Sequence, residues 1–221
     1  YQNYLGGNDA EAIEYAQKAI ENNPRFSTNV LMLEPLFDPF LMKKHLAAYE
    51  NLIYSISPDE SNSKILLKQK SKLAILNENI DSAFALSQQQ LSIAPVSIEE
   101  MNEALNLFFS AKAFPQVIAL CEMGKEYYPT STYFDINQAR ALLEIGENKK
   151  SIEILERAKK NIFDFTTKDY SAIQFTIAEN LVAIDNKLKD GNEGKNAAVG
   201  ILLNDIKHIR ENPYLVEGMP I

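Results

Sequence analysis

One stretch constrains this chain more than any other: QARALLEIGENKKSIEILERAKKNIF, from Gln138 to Phe163, reads as a helix, a turn at Gly146 and a second helix folding back. Ser151 and Ala158 stand seven apart on one face of the second helix, and Gly146 precedes Ser151 by five. Small residues therefore fall where two helices must approach closely. The same ruler of five and seven fits Gly7, Ala12 and Ala19, with Pro24 five later, and Lys112, Val117 and Gly124, with Pro129 five later. Pro24 and Pro58 are 34 residues apart, and so are Pro95 and Pro129. Self-similarity at that period marks stacked helical hairpins, each too small to bury its apolar face alone.

Hydrophobic residues make up 46% of the 221 and charged residues 24%, which is enough apolar material for a folded core and argues against general disorder. Thirty acidic against 22 basic side chains give a formal charge of −8, and such a surface repels a phosphate backbone, so nucleic acid is not an expected partner. Cys121 is the one cysteine; lying in the apolar segment VIALCEM, it reads as a small buried side chain. With only His45 and His208, far apart, no zinc site is expected, and neither is any other metal or cofactor. No apolar run is long enough to span a membrane, so no membrane contact is expected from this segment. The chain opens at Tyr1, in the middle of a repeat, as a piece cut from a longer protein would.

Taken in order, helical spacing predicts a helix over 8–23, ended by Pro24. Ser27 or Thr28 caps the apolar line NVLMLEPLF, which Pro35 interrupts, and Asp38-Pro39 opens a long helix over 40–56. After the linker 58–63 comes a helix through ILLKQKSKLAIL, a turn at 77–79 and a partner helix over 80–93; this unit carries three extra residues, because Pro58 and Pro95 are 37 apart. Ser97 and Glu100 form a capping box for a helix to Phe109, followed by a helix over 114–127. The reference repeat fills 130–163. Beyond it lie a linker at 164–167, a long helix over 168–188, the loop KDGNEGKN and a terminal helix over 197–210. About eleven helices and no strand are expected.

The turn, the two small positions and the closing proline resemble the tetratricopeptide repeat family over most of residues 1–163. The match is incomplete: Ala139 fills the small position of the first helix, Leu105 does not, and Phe163 stands in place of the last proline. The resemblance implies an all-α fold, an α-solenoid of antiparallel helical hairpins coiled as a right-handed superhelix. Residues 1–163 would form the repeats and 164–221 a divergent helical pair capping the array. First helices of such arrays line a concave groove that holds peptides or partner helices.

Under that register the first helices carry a polar ladder. Lys68 and Lys72 share a helix face; adding 34 gives Asn102 and Asn106, and adding 34 again gives Ile136 and Arg140. Lysine and arginine supply charge for carboxylates, and asparagine both donates to and accepts from a peptide group. The strip resembles the carboxylate clamp of some tetratricopeptide domains, although a solvated helix face has the same composition. A second candidate surface is the apolar cluster Leu31, Met32, Leu33, Leu36, Phe37, Phe40, Leu41 and Met42, read first as core. Tyr127, Tyr128 and Tyr133 around Pro129 read as packing between repeats, and KDGNEGK, which lacks the residues of a phosphate or calcium loop, as a turn. Glu99, Glu100 and Glu103 sit near a helix start, where the helix dipole favours them.

No nucleophile elbow, metalloprotease helix or dinucleotide turn occurs, so no catalytic residue and no enzyme activity are expected. The expected function is a protein-protein interaction or scaffold module that binds a peptide or partner segment through Lys68, Lys72, Asn102, Asn106 and Arg140. The alternative is a non-catalytic helical repeat domain appended to a larger enzyme, such as a membrane glycan polymerase or ligase; a self-assembly module is a third reading.

Overall fold

The computed structural model describes residues 9–23, 46–58, 63–160, 162, 168–187 and 193–211. Among these residues the chain is all-α, with ten helices and no strand. The helices are α1 (Asp9–Asn22), α2 (Leu46–Ser55), α3 (Ser63–Leu76), α4 (Ile80–Leu91), α5 (Ile98–Ser110), α6 (Phe114–Tyr127), α7 (Thr132–Glu144), α8 (Asn148–Lys159), α9 (Lys168–Lys187) and α10 (Glu193–Glu211). The apolar cluster at 31–42, the caps at Ser27 or Thr28 and at Asp38-Pro39, and most of the KDGNEGK loop lie outside the described residues. The chain divides into two compact units, 1–107 and 108–221.

In the first unit α1 packs on α2, α2 on α3 and α3 on α4. Ala12 and Ala16 are four apart on α1; Tyr49, Leu52, Ile53 and Ile56 recur at three, four and seven along α2 and just past its end. This spacing puts each set on one helical stripe, and the two stripes meet Leu66 and Leu73 of α3 in one core. Each fully buried Leu or Ile stabilises by about 1.5–3 kcal/mol, so three such side chains outweigh the small helix propensity differences of α2. Asn79 caps α4, its side-chain oxygen accepting from the Ser82 N–H at 3.1 Å. The Ser97/Glu100 box forms in both directions: the Ser97 N–H donates to Glu100 at 2.9 Å, and the Glu100 N–H donates to the Ser97 hydroxyl at 3.1 Å.

The second unit is built the same way, α6 packing on α7, α7 on α8, and α9 on α7, α8 and α10. Phe134 of α7 is fully buried, stacks on Tyr128 and meets Tyr133 edge-on. It lies so close to Gly124 of α6 that any side chain there would collide with the ring, which is why this crossing needs a residue without a Cβ. Tyr128 and Tyr133 thus pack around Phe134, while Tyr127 remains exposed. Ile136, Ala139, Leu155, Ala158, Ile173 and Ile177 form the core shared by α7, α8 and α9. A buried polar network crosses it. Asn180 donates to the Ser151 hydroxyl at 2.9 Å and to the Thr176 carbonyl at 2.8 Å, and accepts from Asn148 at 3.4 Å. Satisfied in this way, buried amides fix the register of α9 against α8 where apolar contacts alone would allow sliding. The helix after Gly146 stops at Lys159, short of the Phe163 limit read from the sequence, its last carbonyls taken by the Lys160 N–H.

Three helix ends share one backbone signature. Glu78, Lys112 and Gly146 have φ of 59°, 55° and 83°. In each, the following N–H reaches back six residues inclusive: Asn79 to Ala74 at 2.8 Å, Ala113 to Phe108 at 2.9 Å, and Glu147 to Leu142 at 2.8 Å. These are Schellman closures, which need a left-handed residue at the position after the cap. They recur every 34 residues.

Candidate partner-binding faces

The 34-residue spacing can be compared with the exposure of equivalent side chains. Ser71, Leu105 and Ala139, one period apart, are all buried. The residues that follow them, Lys72, Asn106 and Arg140, are partly or fully exposed. The three extra residues lie ahead of Ser71, since Ser71 donates to the Ala83 carbonyl at 2.9 Å across α3 and α4 and Glu78 already sits on the 34-residue spacing. Lys68 and Lys72 are therefore in register with Asn102 and Asn106.

On the first unit the ladder is largely occupied by its own chain. Lys68 pairs with Glu103 at 2.8 Å and Lys64 with Glu100 at 2.9 Å, tying α3 to α5. Glu103 fills the place that a ligand carboxylate would take on Lys68, and pairs of this half-exposed kind contribute up to about 1 kcal/mol, a modest barrier to exchange. Glu100 and Glu103 thus do more than complement the helix dipole. Asn106 donates to Asn102 at 3.3 Å along α5. Lys72 lines, with Lys68, Ser71, Ser87, Gln90 and Glu103, a cavity of about 20 Å³, space for about one water.

Arg140 belongs to the second unit, on α7. Ile136, the interruption in the ladder, is a core residue and presents nothing to a partner. Arg140 lies in a trough of about 430 Å³ with Phe109, Lys112, Phe114, Leu143, Glu144, Phe175 and Glu179. Leu143, Phe175 and Glu179 also line an adjoining hollow of about 410 Å³ that is otherwise apolar, with Ala178, Val182 and Ala183 of α9 and Ala198 and Leu202 of α10. Phe175 is 51% exposed on this surface. Burial pushes the Glu179 carboxyl above its ordinary range; Arg140 pulls it down and Glu144 pushes it up, leaving a net rise. Arg140, Glu144 and Glu179 make no ion pair among the described residues, so the rim of the trough carries both signs close together and uncommitted.

The trough was not legible as a site. Phe175, Glu179 and Val182 share a face of α9, but that helix carries apolar residues on several sides, and only the packing of α9 on α7 shows which side is left open. Among the described residues no group of three or more His, Cys, Asp or Glu is placed to hold a metal ion, and no helix is long and apolar enough to cross a membrane. Burial pushes the Cys121 thiol up to about 12, far from the range of a nucleophile at neutral pH. No protein-family model matches the chain, and no curated protein matches it.

Proposed function

We propose that this chain is a helical-repeat module of the tetratricopeptide type, an α-solenoid of antiparallel hairpins that serves protein-protein interaction or scaffolding by holding a peptide or partner segment. The observation that carries this reading is the recurrence of the left-handed helix closure at Glu78, Lys112 and Gly146. Three turns of one geometry at one period fit an array of helical hairpins. Supporting it are two interhelical contacts at matching positions, Ser71 with Ala83 and Ser151 with Ala139.

On the second unit the partner segment would meet Arg140, Leu143 and Phe175. A carboxylate suits Arg140, and an apolar side chain suits the floor around Leu143 and Phe175. The test is capture from an extract of the source cells with the wild-type chain and with Arg140→Ala/Phe175→Ala. A protein retained by the wild type and lost from the variant, at equal melting temperature, supports the reading. Equal retention by both contradicts it.

A further inference from the structure

The cleft between α2, α3 and α4, on the first unit, has a different chemistry. Its volume is about 450 Å³, within the range of small-molecule sites, and its lining includes Glu50, Tyr54, Lys70, Asn77, Ser82 and Gln89. Lys68 and Lys72 line another cavity, so this cleft is independent of the partner faces. Tyr54 is 63% exposed, an aromatic ring left in water at the end of a helix whose Tyr49, Leu52 and Ile53 are buried. Lys70 reaches from α3 to lie 5.4 Å from the ring centroid and holds the ring from one side.

The polar groups around that ring are amides and a hydroxyl, each able both to donate and to accept, and the one acid and one base, Glu50 and Lys70, balance. Such a wall offers no net charge to an acidic or basic ligand. It matches a neutral molecule that presents hydroxyls along its edge and a flat C–H face to an aromatic ring. We propose that the Tyr54 cleft is a binding site for a neutral glycan, one sugar ring lying against Tyr54 with its hydroxyls shared among Asn77, Ser82, Gln89 and Glu50.

The experiment is isothermal titration of the 221-residue chain with maltohexaose, cellohexaose and chitohexaose. One of the three is expected to bind with a stoichiometry of one. Tyr54→Ala should weaken that binding about tenfold, because the stacking surface is lost, whereas Tyr54→Phe keeps the ring and should stay within about twofold. Tyr54 is exposed, so both variants should melt with the wild type. Arg140→Ala/Phe175→Ala should bind the glycan unchanged, which separates this site from the partner faces. Binding of none of the three, or equal binding by Tyr54→Ala, overturns the proposal.

Discussion

The Ser151 hydroxyl donates to the Ala139 carbonyl at 2.8 Å, clamping α8 to α7 where both residues are buried. Two periods earlier the same pair of positions is bonded from the other side, with the Ser71 hydroxyl donating to the Ala83 carbonyl at 2.9 Å. A hydroxyl at either position closes the crossing, because the two helices are near enough for one short side chain to span them.

Ser151 should therefore tolerate neither loss nor growth. Ser151→Ala removes the bond to Ala139 and one acceptor of Asn180, and should cost about 1–2 kcal/mol. Ser151→Leu forces the helices apart and should cost a further 1–3 kcal/mol or so. Urea unfolding followed by circular dichroism gives both values; a neutral Ser151→Leu would mean that the helices are not in close contact there.

The three left-handed turns make opposite predictions for glycine and for other residues. A side chain at such a φ costs about 1–2 kcal/mol, and glycine's extra freedom in the unfolded chain returns about 0.5–1 of it. Glu78→Gly and Lys112→Gly should each stabilise by about 0.5–1 kcal/mol, while Gly146→Ala should destabilise by a similar amount. Thermal melting of the three variants checks the signs.

The capping box predicts an acid limb. Burial pushes the Glu100 carboxyl up, but the Ser97 N–H and Lys64 more than offset it, and the net shift is downward. A depressed carboxyl contributes stability that is complete above its unfolded value, about 4.3 by peptide reference, and is lost as pH falls through the folded value. Glu100→Ala should cost about 1 kcal/mol at neutral pH and flatten the loss below pH ~4, whereas Glu100→Gln, still able to accept from Ser97, should cost less. Stability measured against pH for the two variants distinguishes charge from cap.

Cys121 should be silent in the folded chain. Its thiol is buried on α6, and burial pushes it up to about 12, so at pH 8 almost no thiolate is present or accessible. A chromogenic disulfide reagent should react only after denaturant unfolds the chain; rapid reaction of the native protein would place α6 differently.

Local signals carried most of what was legible in the sequence. Ser97 and Glu100, three apart, announced their own capping box, and the helix over 114–127 was bounded on both sides by turn residues that the structure uses. Gly146 and Lys112 stood on the five-and-seven ruler and prove to be the left-handed residues of two closures. Interactions between distant parts of the chain were hidden. Nothing local to Lys68 shows that Glu103, 35 residues on, takes its charge, and nothing local to Asn148 or Asn180 shows that the packing of α9 on α8 buries them with Ser151. Phe134, beside Tyr133 in the sequence, carries no local mark of its role; only the approach of Gly124 makes it the centre of its crossing. The Arg140 trough depends on which face of α9 is left uncovered, a property of helix placement and not of helix sequence.

The most direct test of the account is fluorescence anisotropy of a labelled peptide with an apolar residue near an acidic C-terminal tail, titrated with the wild-type chain and with Arg140→Ala/Phe175→Ala. The account predicts saturable binding by the wild type, at least tenfold weaker binding by the double variant as a charge-assisted contact and an apolar one are lost together, and identical melting temperatures. Absence of binding to the wild type, or equal affinity for both proteins, would contradict it.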